Sequence, residues 1–340
     1  MTMQVGVPNE AYRGEPRTAM VPANVARLVQ LGVRVEVESG TGHGSGFADD
    51  DYSRAGAAIS SEREAILERS DLILRVRPPT TDEVKWLKPG GTHLSFLDPF
   101  NSVELLHRLA GRGVNAISVE LIPRITRAQK MDALSSQANL AGYVAVILAA
   151  TQLNRIFPMM MTAAGTITPA RVLVLGAGVA GLQAIATAHR LGARVEAYDT
   201  RPAVEEQVRS VGGKFLKIDL GETGQTQDGY AKPLSEAQIA NQREALKRIC
   251  AQADVLITTA QVFGRKAPVL VTAEMIAAMK AGSVVVDLAI ESGGNVEGAV
   301  IDQAVERAGV KILGYSNLAG RVPAHASQVY STNLTNLVEE

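Results

Sequence analysis

The sequence predicts an α/β protein built from two domains, each with a mainly parallel sheet. Three observations support this fold class. Apolar segments of strand length alternate with segments of helical periodicity along most of the chain. The run Val172 to Leu175 is continuously apolar, which is typical of a strand buried on both faces of a parallel sheet. The length of 340 residues is sufficient for two domains with separate cores.

The segment that follows Leu175 has the order of a dinucleotide-binding unit. Gly176, Gly178 and Gly181 have G-x-G-x-x-G spacing and lead into a predicted helix and a second strand that ends at Asp199. Gly176 permits the tight turn, Gly178 lets a pyrophosphate approach the backbone, and Gly181 lets helix and strand pack closely. The pyrophosphate would lie at the helix N-terminus. Strand, glycines, helix and acid in this order favour a Rossmann-like dinucleotide site over a purely structural glycine turn.

Asp199 also indicates which dinucleotide binds. A carboxylate at this position pairs with the ribose hydroxyls of NAD and repels the 2′-phosphate of NADP. Arg201 could hold that phosphate, although it could equally be a solvated loop residue or stack on adenine. We therefore expect NAD(H). The residues predicted to contact it in this domain are Gly176, Gly178, Val179, Ala180, Gly181, Asp199, Thr200 and Arg201, with Thr259, Ala260 and Gln261 at the end of a later strand.

The region of the chain before the glycine motif contains enough alternating elements for a complete domain. The Gly-rich turn Gly40 to Gly46 lacks the Gly-Lys-Ser/Thr ending of a phosphate loop, so we interpret it as structural. The predicted strands are Gln4 to Val7, Arg34 to Ser39, Leu72 to Val76, Thr92 to Phe96 and Asn115 to Val119, and the predicted helices are Pro22 to Leu31, Asp50 to Ala55, Glu62 to Glu68, Glu83 to Leu87 and Ser102 to Arg112.

A polar stretch, Leu121 to Gln137, leads into a long helix predicted from Ala133 to about Ile156, which would connect the domains. The simplest interpretation of the stretch is a solvated linker with Asp132 as the helix N-cap. The following segment, Pro158 to Gly165, contains three consecutive methionines. We interpret them as core filling or as an adaptable packing surface.

Alternation of strands and helices continues after Asp199. The long polar segment Asp219 to Lys232 is either a loop that closes over a ligand, with Tyr230 as the clamping residue, or an incidental exposed loop. A final helix from about Val322 should return to the first domain, which gives domains of 1–132 with 322–340, and 133–321. The predicted strands are Lys214 to Ile218, Val255 to Thr259, Val284 to Asp287 and Lys311 to Gly314, and the predicted helices are Ala237 to Ala251, Ala273 to Met279 and Ile301 to Ala308.

Composition excludes several functional classes. A formal net charge of −1 gives no reason to expect a nucleic-acid partner. Cys250 is the only cysteine, and the five histidines lack metal-ligand spacing, so we expect neither a disulfide framework nor a metal site. The apolar run Leu140 to Ala150 is too short to span a bilayer. We therefore expect a cytosolic protein, or one held at a membrane by partners.

Several stretches resemble the alanine dehydrogenase / nicotinamide nucleotide transhydrogenase superfamily. Arg17 in Glu15-Pro-Arg-Thr-Ala19, the strand Leu72-Ile-Leu-Arg-Val-Arg-Pro78 and the glycine unit carry the general resemblance. The stretch Pro123 to Gln137 is similar to the Arg-Gln-Asp loop of the NAD(H)-binding component, domain I, of proton-translocating transhydrogenases. Similarity to this branch continues in Ala138 to Tyr143, Phe157 to Gly165, Gly181 to Ala188 and Gly229 to Lys232, and so covers essentially the whole chain.

This resemblance implies two Rossmann-like, doubly wound domains joined by long helices, with NAD(H) in the cleft between them. It implies direct hydride transfer of the Si-specific/Re-specific type between NADH on this chain and NADP⁺ on a partner, the NADP(H)-binding domain of a beta subunit. It also implies a homodimer, membrane-spanning alpha2 and beta subunits that translocate protons, and a place on the cytoplasmic face of the inner membrane. The implied catalytic residues are Arg124, Gln129 and Asp132, which with Ser135 would hold the nicotinamide end of NAD(H); Tyr230 would lie on a mobile loop over the nucleotide.

Two alternatives remain. Alanine dehydrogenases carry Lys at the position of Arg75 and His at the position of Asp98, so this chain lacks the residues that would bind pyruvate and relay a proton, although it keeps Arg17 and has His93 nearby. The other alternative is a subunit that binds NAD without turnover. Hydride exchange between two nicotinamides needs no proton acceptor and depends chiefly on proximity and orientation.

Overall fold

The computed structural model describes residues 2–221, 223–224, 234–262 and 264–340. The chain divides into two compact units: unit 1 comprises 1–137 with 319–340, and unit 2 comprises 138–318. The final helix therefore belongs to unit 1, as the sequence indicated. Tyr230 and Phe263 lie outside the described residues.

Unit 1 contains an all-parallel sheet of six strands within its described residues, in the order β3-β2-β1-β4-β5-β6. The strands are β1 (Gln4–Val7), β2 (Arg34–Glu38), β3 (Ala58–Ser60), β4 (Leu72–Leu74), β5 (Thr92–Ser95) and β6 (Asn115–Ser118). The helices are α1 (Pro22–Gln30), α2 (Asp49–Arg54), α3 (Arg63–Arg69), α4 (Val103–Gly111), the start of α5 (Ala133–Gln152) and α10 (Pro323–Glu339). The sequence did not predict β3, and the region Glu83–Trp86 forms a 3₁₀ turn.

Helix α10 joins the core of unit 1 through a buried aromatic residue and buried hydroxyls. The Tyr330 ring stacks on Phe96 with centroids 5.3 Å apart, and its hydroxyl donates to the Arg75 carbonyl at 2.8 Å. The Ser327 hydroxyl accepts the Thr18 N–H at 2.9 Å and lies 2.7 Å from the hydroxyl of Ser45. These contacts join residues more than two hundred positions apart in the chain, which is why the C-terminal segment completes the N-terminal unit.

The turn Gly40 to Gly46 packs against the chain as a structural element. A Cβ on Gly44 would come within 2.5 Å of the Pro16 carbonyl oxygen, and the Ser45 hydroxyl donates to that same oxygen at 2.9 Å. The turn therefore uses its glycine for close backbone contact.

The described region of unit 2 contains a sheet of seven strands in the order β11-β10-β9-β12-β13-β15-β14, parallel except for the edge strand β14. The strands are β9 (Arg171–Leu175), β10 (Arg194–Tyr198), β11 (Lys214–Phe215), β12 (Val255–Thr258), β13 (Val284–Asp287), β14 (Ala304–Arg307) and β15 (Val310–Leu313). The helices are α6 (Val179–Arg190), α7 (Glu205–Ser210), α8 (Glu236–Cys250) and α9 (Ala273–Ala278), and a separate hairpin is formed by β7 (Met160–Thr162) and β8 (Gly165–Ile167).

The prediction of a helix over Ile301 to Ala308 is wrong. Residues Ala304–Arg307 form strand β14, which pairs antiparallel with β15. The connection Ala308-Gly309 has φ values of 51° and 76°, as a two-residue hairpin turn of type I′ requires. Helix-forming residues in Ala-Val-Glu-Arg concealed the strand, because tertiary pairing outweighs weak local propensity.

The three methionines of the Pro158 to Gly165 segment do not fill a core. Met159, Met160 and Met161 are 61%, 46% and 78% exposed, and every residue of β7 and β8 is exposed. The prediction of core filling is therefore wrong, and an exposed packing surface is the interpretation that remains.

Helix α5 is 20 residues long. By length and apolar composition it is the one helix among the described residues that could cross a bilayer, so our expectation that this region is too short was wrong. Core helices of soluble proteins have the same length and composition, and Ala145, Val146 and Ala149 of α5 are fully buried. Length and composition are weak evidence for a membrane span.

Candidate dinucleotide site

The glycine turn of unit 2 has the geometry that its spacing predicts. Gly176 has φ of +101°, and a Cβ there would come within 2.6 Å of the Thr259 hydroxyl. A Cβ on Gly181 would overlap the Gly176 carbonyl oxygen, so this glycine allows α6 to approach β9. Gly178 is different, because a Cβ there would meet nothing within 4 Å.

Helix α6 begins at the open side of this turn. Gly178 is its N-cap residue, and no side chain among the described residues caps the helix. Gly178 and Val179 are exposed, Ala180 is half-buried and Gly181 is buried. The first N–H groups of α6 can therefore receive an anion, and the helix dipole favours one.

Asp199, at the end of β10, lies beside the glycine turn. One of its carboxylate oxygens accepts the Ala177 N–H at 2.8 Å, and both receive the Arg201 guanidinium at 2.9 and 2.7 Å. Burial raises the pKa of Asp199, but the hydrogen bonds and charge of Arg201 outweigh burial, so the pKa lies below its ordinary value. Asp199 is therefore ionised at neutral pH and paired with Arg201.

This pairing bears on the predicted role of Arg201. A guanidinium held by Asp199 cannot also accept a 2′-phosphate without giving up that ion pair. The structure thus associates Arg201 with its neighbouring carboxylate, and Thr200 between them is half-buried.

The segment after β12 packs against the same turn. The Thr259 hydroxyl donates to the Gly176 carbonyl at 3.0 Å, and the Thr259 N–H donates to the Leu175 carbonyl at 2.8 Å. Gln261 is exposed, and its amide donates to the Leu288 carbonyl at 2.9 Å. Unit 2 thus brings together the predicted residues of the glycine turn, β10 and the segment Thr259 to Gln261.

The predicted residues Arg124, Gln129, Asp132 and Ser135 lie in unit 1, around the start of α5. Asp132 is the N-cap: its two oxygens accept the Ser135 N–H at 2.9 Å and the Ser135 hydroxyl at 2.6 Å. Arg124 and Gln129 are exposed. The prediction of an N-cap at Asp132 is confirmed, and the structure brings Asp132 and Ser135 into direct contact.

The preceding turn is fixed to helix α10. The side-chain amides of Asn333 and Asn336 both donate to the Lys130 carbonyl, at 2.9 and 3.0 Å. The Lys130 ammonium and the Arg127 guanidinium pair with Glu340 at 2.8 and 2.6 Å. Two basic residues of this loop are therefore neutralised by one acid.

Unit 1 also contains buried charges that the sequence did not reveal. Arg75 is fully buried; it pairs with Glu83 at 2.8 Å, and its Nε lies 3.8 Å from Glu10. The Glu10 carboxylate accepts the N–H groups of Val76 and Arg77 at 2.6 and 3.1 Å. Burial raises the pKa of Glu10 although the charge of Arg75 opposes it. Isolated glutamates carry no sequence motif, so only the fold could identify these partners.

Arg17, which the sequence shares with alanine dehydrogenases, has a partner of its own. The Glu15 carboxylate accepts two hydrogen bonds from the Arg17 guanidinium, at 2.7 and 2.6 Å, and a third from Arg77 at 2.8 Å. Burial raises the pKa of Glu15, but these arginines outweigh burial and lower the pKa to about 2.

His93 cannot serve as a proton relay at neutral pH. It is fully buried, and burial, reinforced by the charge of Arg75, lowers its pKa from 6.5 to about 3. Its Nε2 lies 3.2 Å from the Ser95 hydroxyl, and its Nδ1 has no hydrogen-bond partner among the described residues. Within the described regions of the chain, histidine, cysteine and acidic side chains form no group of three or more that could hold a metal ion.

Two family models together match almost the whole sequence. The alanine dehydrogenase/PNT N-terminal domain matches residues 6–141, and the C-terminal domain matches residues 145–340. The chain belongs to the alanine dehydrogenase/PNT family. The resemblance inferred from its motifs, and with it the predicted α/β fold of parallel-sheet domains, is confirmed.

Within the alanine dehydrogenase/PNT family the chain is more similar to transhydrogenases. It is 47% identical over 343 residues to the first portion of NAD(P) transhydrogenase subunit alpha from Rhodospirillum rubrum, covering 99% of this chain and 89% of that protein. The solved transhydrogenase structure from Sinorhizobium meliloti superposes with a TM-score of 0.89 at 45% identity, covering 99% and 93% of the two chains. Alanine dehydrogenase of Bacillus subtilis is 30% identical over 343 residues, covering 98% and 84%. These values favour the predicted transhydrogenase function over alanine dehydrogenase.

Proposed function

We propose that this chain is the NAD(H)-binding component of a proton-translocating NAD(P) transhydrogenase of the Si-specific/Re-specific type. In this proposal NADH bound here exchanges hydride directly with NADP⁺ bound on a partner subunit. The observation that carries the proposal is the open glycine turn of unit 2, in a chain that is 47% identical to a transhydrogenase alpha subunit.

The residues of unit 2 fit a dinucleotide. Space in front of Gly178 and the uncapped start of α6 suit a pyrophosphate, and the ionised Asp199 suits a ribose diol. Binding would require the ribose hydroxyls to share the Asp199 oxygens with Arg201. The guanidinium would then balance the charge of the carboxylate and keep it fixed for the ribose.

NADH, when bound, supplies the hydride, and the residues of unit 1 supply orientation. Gln129 and Arg124 offer exposed hydrogen-bonding groups, while Asp132 and Ser135 hold each other at the start of α5. Such an arrangement can orient a carboxamide and a ribose because its central carboxylate is already fixed. Orientation is what a hydride exchange between two rings chiefly requires.

The alternative function, alanine dehydrogenase, needs a residue that accepts a proton from an amine or alcohol. In unit 1 the neighbouring histidine, His93, is buried and neutral at physiological pH. Arg17 and Arg75 are neutralised by glutamates of the same unit. Both features support transhydrogenation over pyruvate reduction.

The deciding experiment incubates the purified chain with NADH and an acetylpyridine analogue of NAD⁺, with and without a domain that binds NADP(H). A parallel sample receives pyruvate and ammonia. We expect hydride transfer only when the partner domain and NADP(H) are present. Oxidation of NADH by pyruvate with the chain alone would establish alanine dehydrogenase instead. Binding of NADH without turnover under every condition would establish a non-catalytic subunit.

Two substitutions test the residue roles. Gln129→Ala should slow single-turnover hydride transfer far more than it weakens NADH binding, and an unchanged transfer rate would remove Gln129 from the reaction. Asp199→Ala should weaken NADH binding, and wild-type affinity would remove Asp199 from the site.

The same proposal includes partners and location. Membrane-spanning alpha2 and beta subunits would translocate protons and hold this chain at the cytoplasmic face of the inner membrane. The NADP(H)-binding domain of the beta subunit would dock near Arg124 and Gln129. Fractionation with and without the beta subunit tests this: the chain should be found with membranes only in its presence.

A homodimer is supported by the exposed hairpin β7–β8. A two-stranded hairpin is marginal in water on its own, and this one carries exposed Met160 and Met161. Next to it along the chain, Leu153, Ile156, Phe157 and other residues line a mostly apolar groove of about 680 Å³. In a two-fold dimer the hairpin of each copy could cover the groove of the other.

Sedimentation equilibrium tests the dimer with a matched pair of variants. Met161→Lys should shift the chain toward monomer, whereas Met3→Lys, at a 37% exposed methionine of unit 1, should leave the dimer intact. A monomeric wild-type chain, or a dimer that tolerates Met161→Lys, would contradict this assignment.

A further inference from the structure

Asn295 is a fully buried residue that connects two points of the chain after β12. Its side-chain oxygen accepts the Ala260 N–H at 3.0 Å. Its side-chain nitrogen donates to the Ala260 carbonyl at 2.9 Å and to the Pro268 carbonyl at 2.8 Å. The amide thus pairs with both backbone groups of Ala260, as a neighbouring strand would, and fixes Ala260 relative to Pro268.

Asn295 is itself held in place by Asp287, the buried last residue of β13. One Asp287 oxygen accepts the N–H groups of Asn295 and Val296, at 2.8 and 3.1 Å. The other accepts the Ala289 N–H at 2.9 Å and the Thr258 hydroxyl at 3.1 Å. A Cβ on Gly294, where φ is +79°, would come within 2.9 Å of the first oxygen. The sequence Gly293-Gly294-Asn295 therefore lets the chain pass close to the carboxylate.

This network ends at the dinucleotide turn. Ala260 follows Thr259, whose hydroxyl donates to the Gly176 carbonyl at 3.0 Å. A Cβ on Gly176 would meet the Ala260 nitrogen at 3.3 Å. The position of Ala260 thus determines how closely the segment after β12 approaches the glycine turn.

We infer that Asn295 is a positioning residue for NAD(H) binding, which holds Thr259 and Ala260 against the glycine turn, and that Asp287 orients it. This inference rests on the proposed function. Loss of the Asn295 amide would leave the carbonyls of Ala260 and Pro268 without their donors. The segment would then move away from the turn, because buried carbonyls without donors are costly and seek other partners.

The main test is Asn295→Asp, which keeps an oxygen for the Ala260 N–H but replaces the two donated hydrogen bonds with an oxygen facing two carbonyls. NADH titration should show a Kd at least about tenfold above wild type, as loss of two buried hydrogen bonds allows. Ser283→Ala is the matched control. It removes a buried hydrogen bond, from the Ser283 hydroxyl to the Ala253 carbonyl at 3.2 Å, at the opposite end of β13, and its Kd should equal that of wild type.

A positioning role has a second signature that general destabilisation does not share. NADH should slow hydrogen exchange of the Ala260 N–H in the wild-type chain more than exchange of the Ser283 N–H, and Asn295→Asp should abolish the difference. The wild-type measurement needs no variant that folds. Equal changes at the two amides would overturn the inference.

The outcomes separate this inference from the proposed function. If wild type binds NADH and Asn295→Asp binds it within about twofold, a difference well under the effect of one hydrogen bond, the positioning role is wrong and the proposed function stands. If the wild-type chain does not bind NADH, the proposed function is wrong and the inference falls with it.

Discussion

The two sheets share a strand order but differ at the point where that order reverses. In unit 1, β1 lies between β2 and β4, and in unit 2, β9 lies between β10 and β12. In open α/β sheets, ligands bind at the carboxyl ends of the strands at this switch point. Both units therefore have the topology of a binding site.

The difference lies in the segments that leave the strands at this point. In unit 2 the turn after β9 is glycine-rich and leaves open space at Gly178. In unit 1 the Glu10 carboxylate accepts the N–H groups of Val76 and Arg77 after β4, and Arg75 is buried between Glu10 and Glu83. One switch point is open, while the other is filled by a carboxylate of its own chain. Topology alone does not create a ligand site.

The largest expected effect breaks the filled switch point. Arg75→Met should lower the free energy of unfolding of unit 1 by about 3–5 kcal/mol, because it leaves buried carboxylates without their cation. Trp86 is the only tryptophan and adjoins the cluster, so its fluorescence during urea unfolding reports this unit. Adding Glu10→Gln and Glu83→Gln should recover some of the loss, and no recovery would show that packing, not charge, was removed.

A smaller effect should distinguish the glycines of the open switch point. Gly181→Ala should destabilise unit 2 by about 1–3 kcal/mol, since its Cβ overlaps the Gly176 carbonyl. Gly178→Ala should change stability by less than about 1 kcal/mol and should still weaken NADH binding. Denaturation followed by circular dichroism, with NADH titration, measures both. Wild-type affinity in Gly178→Ala would mean that no ligand approaches this turn.

Acid should destabilise unit 1 through His93. Its pKa is about 3 in the folded chain and 6.5 ordinarily, so between these values the unfolded chain binds a proton that the folded chain does not. Stability should therefore fall as pH falls from 6.5, by at most about 1.4 kcal/mol per pH unit. Below 4.5, protonation of Glu15 adds a further loss, since its pKa is about 2.

A His93→Asn variant isolates the histidine contribution to this pH dependence. It should show a weaker slope of stability between pH 6.5 and 5, where Glu15 is ionised in both states. Urea unfolding followed by Trp86 fluorescence across this range is the measurement. An unchanged slope would indicate that His93 takes up its proton without unfolding.

The smallest effect concerns the dinucleotide preference. Arg201→Gln should weaken NADH binding by about fivefold, because it removes a partly exposed ion pair worth about 1 kcal/mol that fixes Asp199. It should not improve NADPH binding, since Asp199 would remain ionised and repel a 2′-phosphate. Parallel titrations with NADH and NADPH measure this. If Arg201→Gln weakened NADPH binding more than NADH binding, Arg201 would be a phosphate ligand.

The sequence predicted the features that depend on local patterns. Apolar runs such as Val172 to Leu175, and glycines with fixed mechanical roles, identified the sheet of unit 2 and its turn. The sequence did not predict the hairpin β7–β8, because Met-Met-Met-Thr lacks the alternation of a half-buried strand. The type I′ turn at Ala308-Gly309 was missed because it lacks the usual Asn or Asp.

Contacts between distant residues were beyond sequence reasoning. Glu10 meets Val76 and Arg77, and Asn295 meets Ala260, only after the sheets form. The pair Gly293-Gly294 was the one visible signal for Asn295, because both glycines have positive φ in a turn that brings the chain back to Asp287. The roles of Gln129, Asp132 and Ser135 in hydride transfer stay predictions.

The antiparallel strand β14 has a consequence for the protein in concentrated solution. Exposed sheet edges can pair with other chains and start aggregation. At one edge of the unit 2 sheet, β11 has two residues, and at the other, β14 presents Glu306 and Arg307, both exposed. Neither edge offers a long uncharged template. The short hairpin thus ends the parallel array in a form that resists edge-to-edge growth of fibrils.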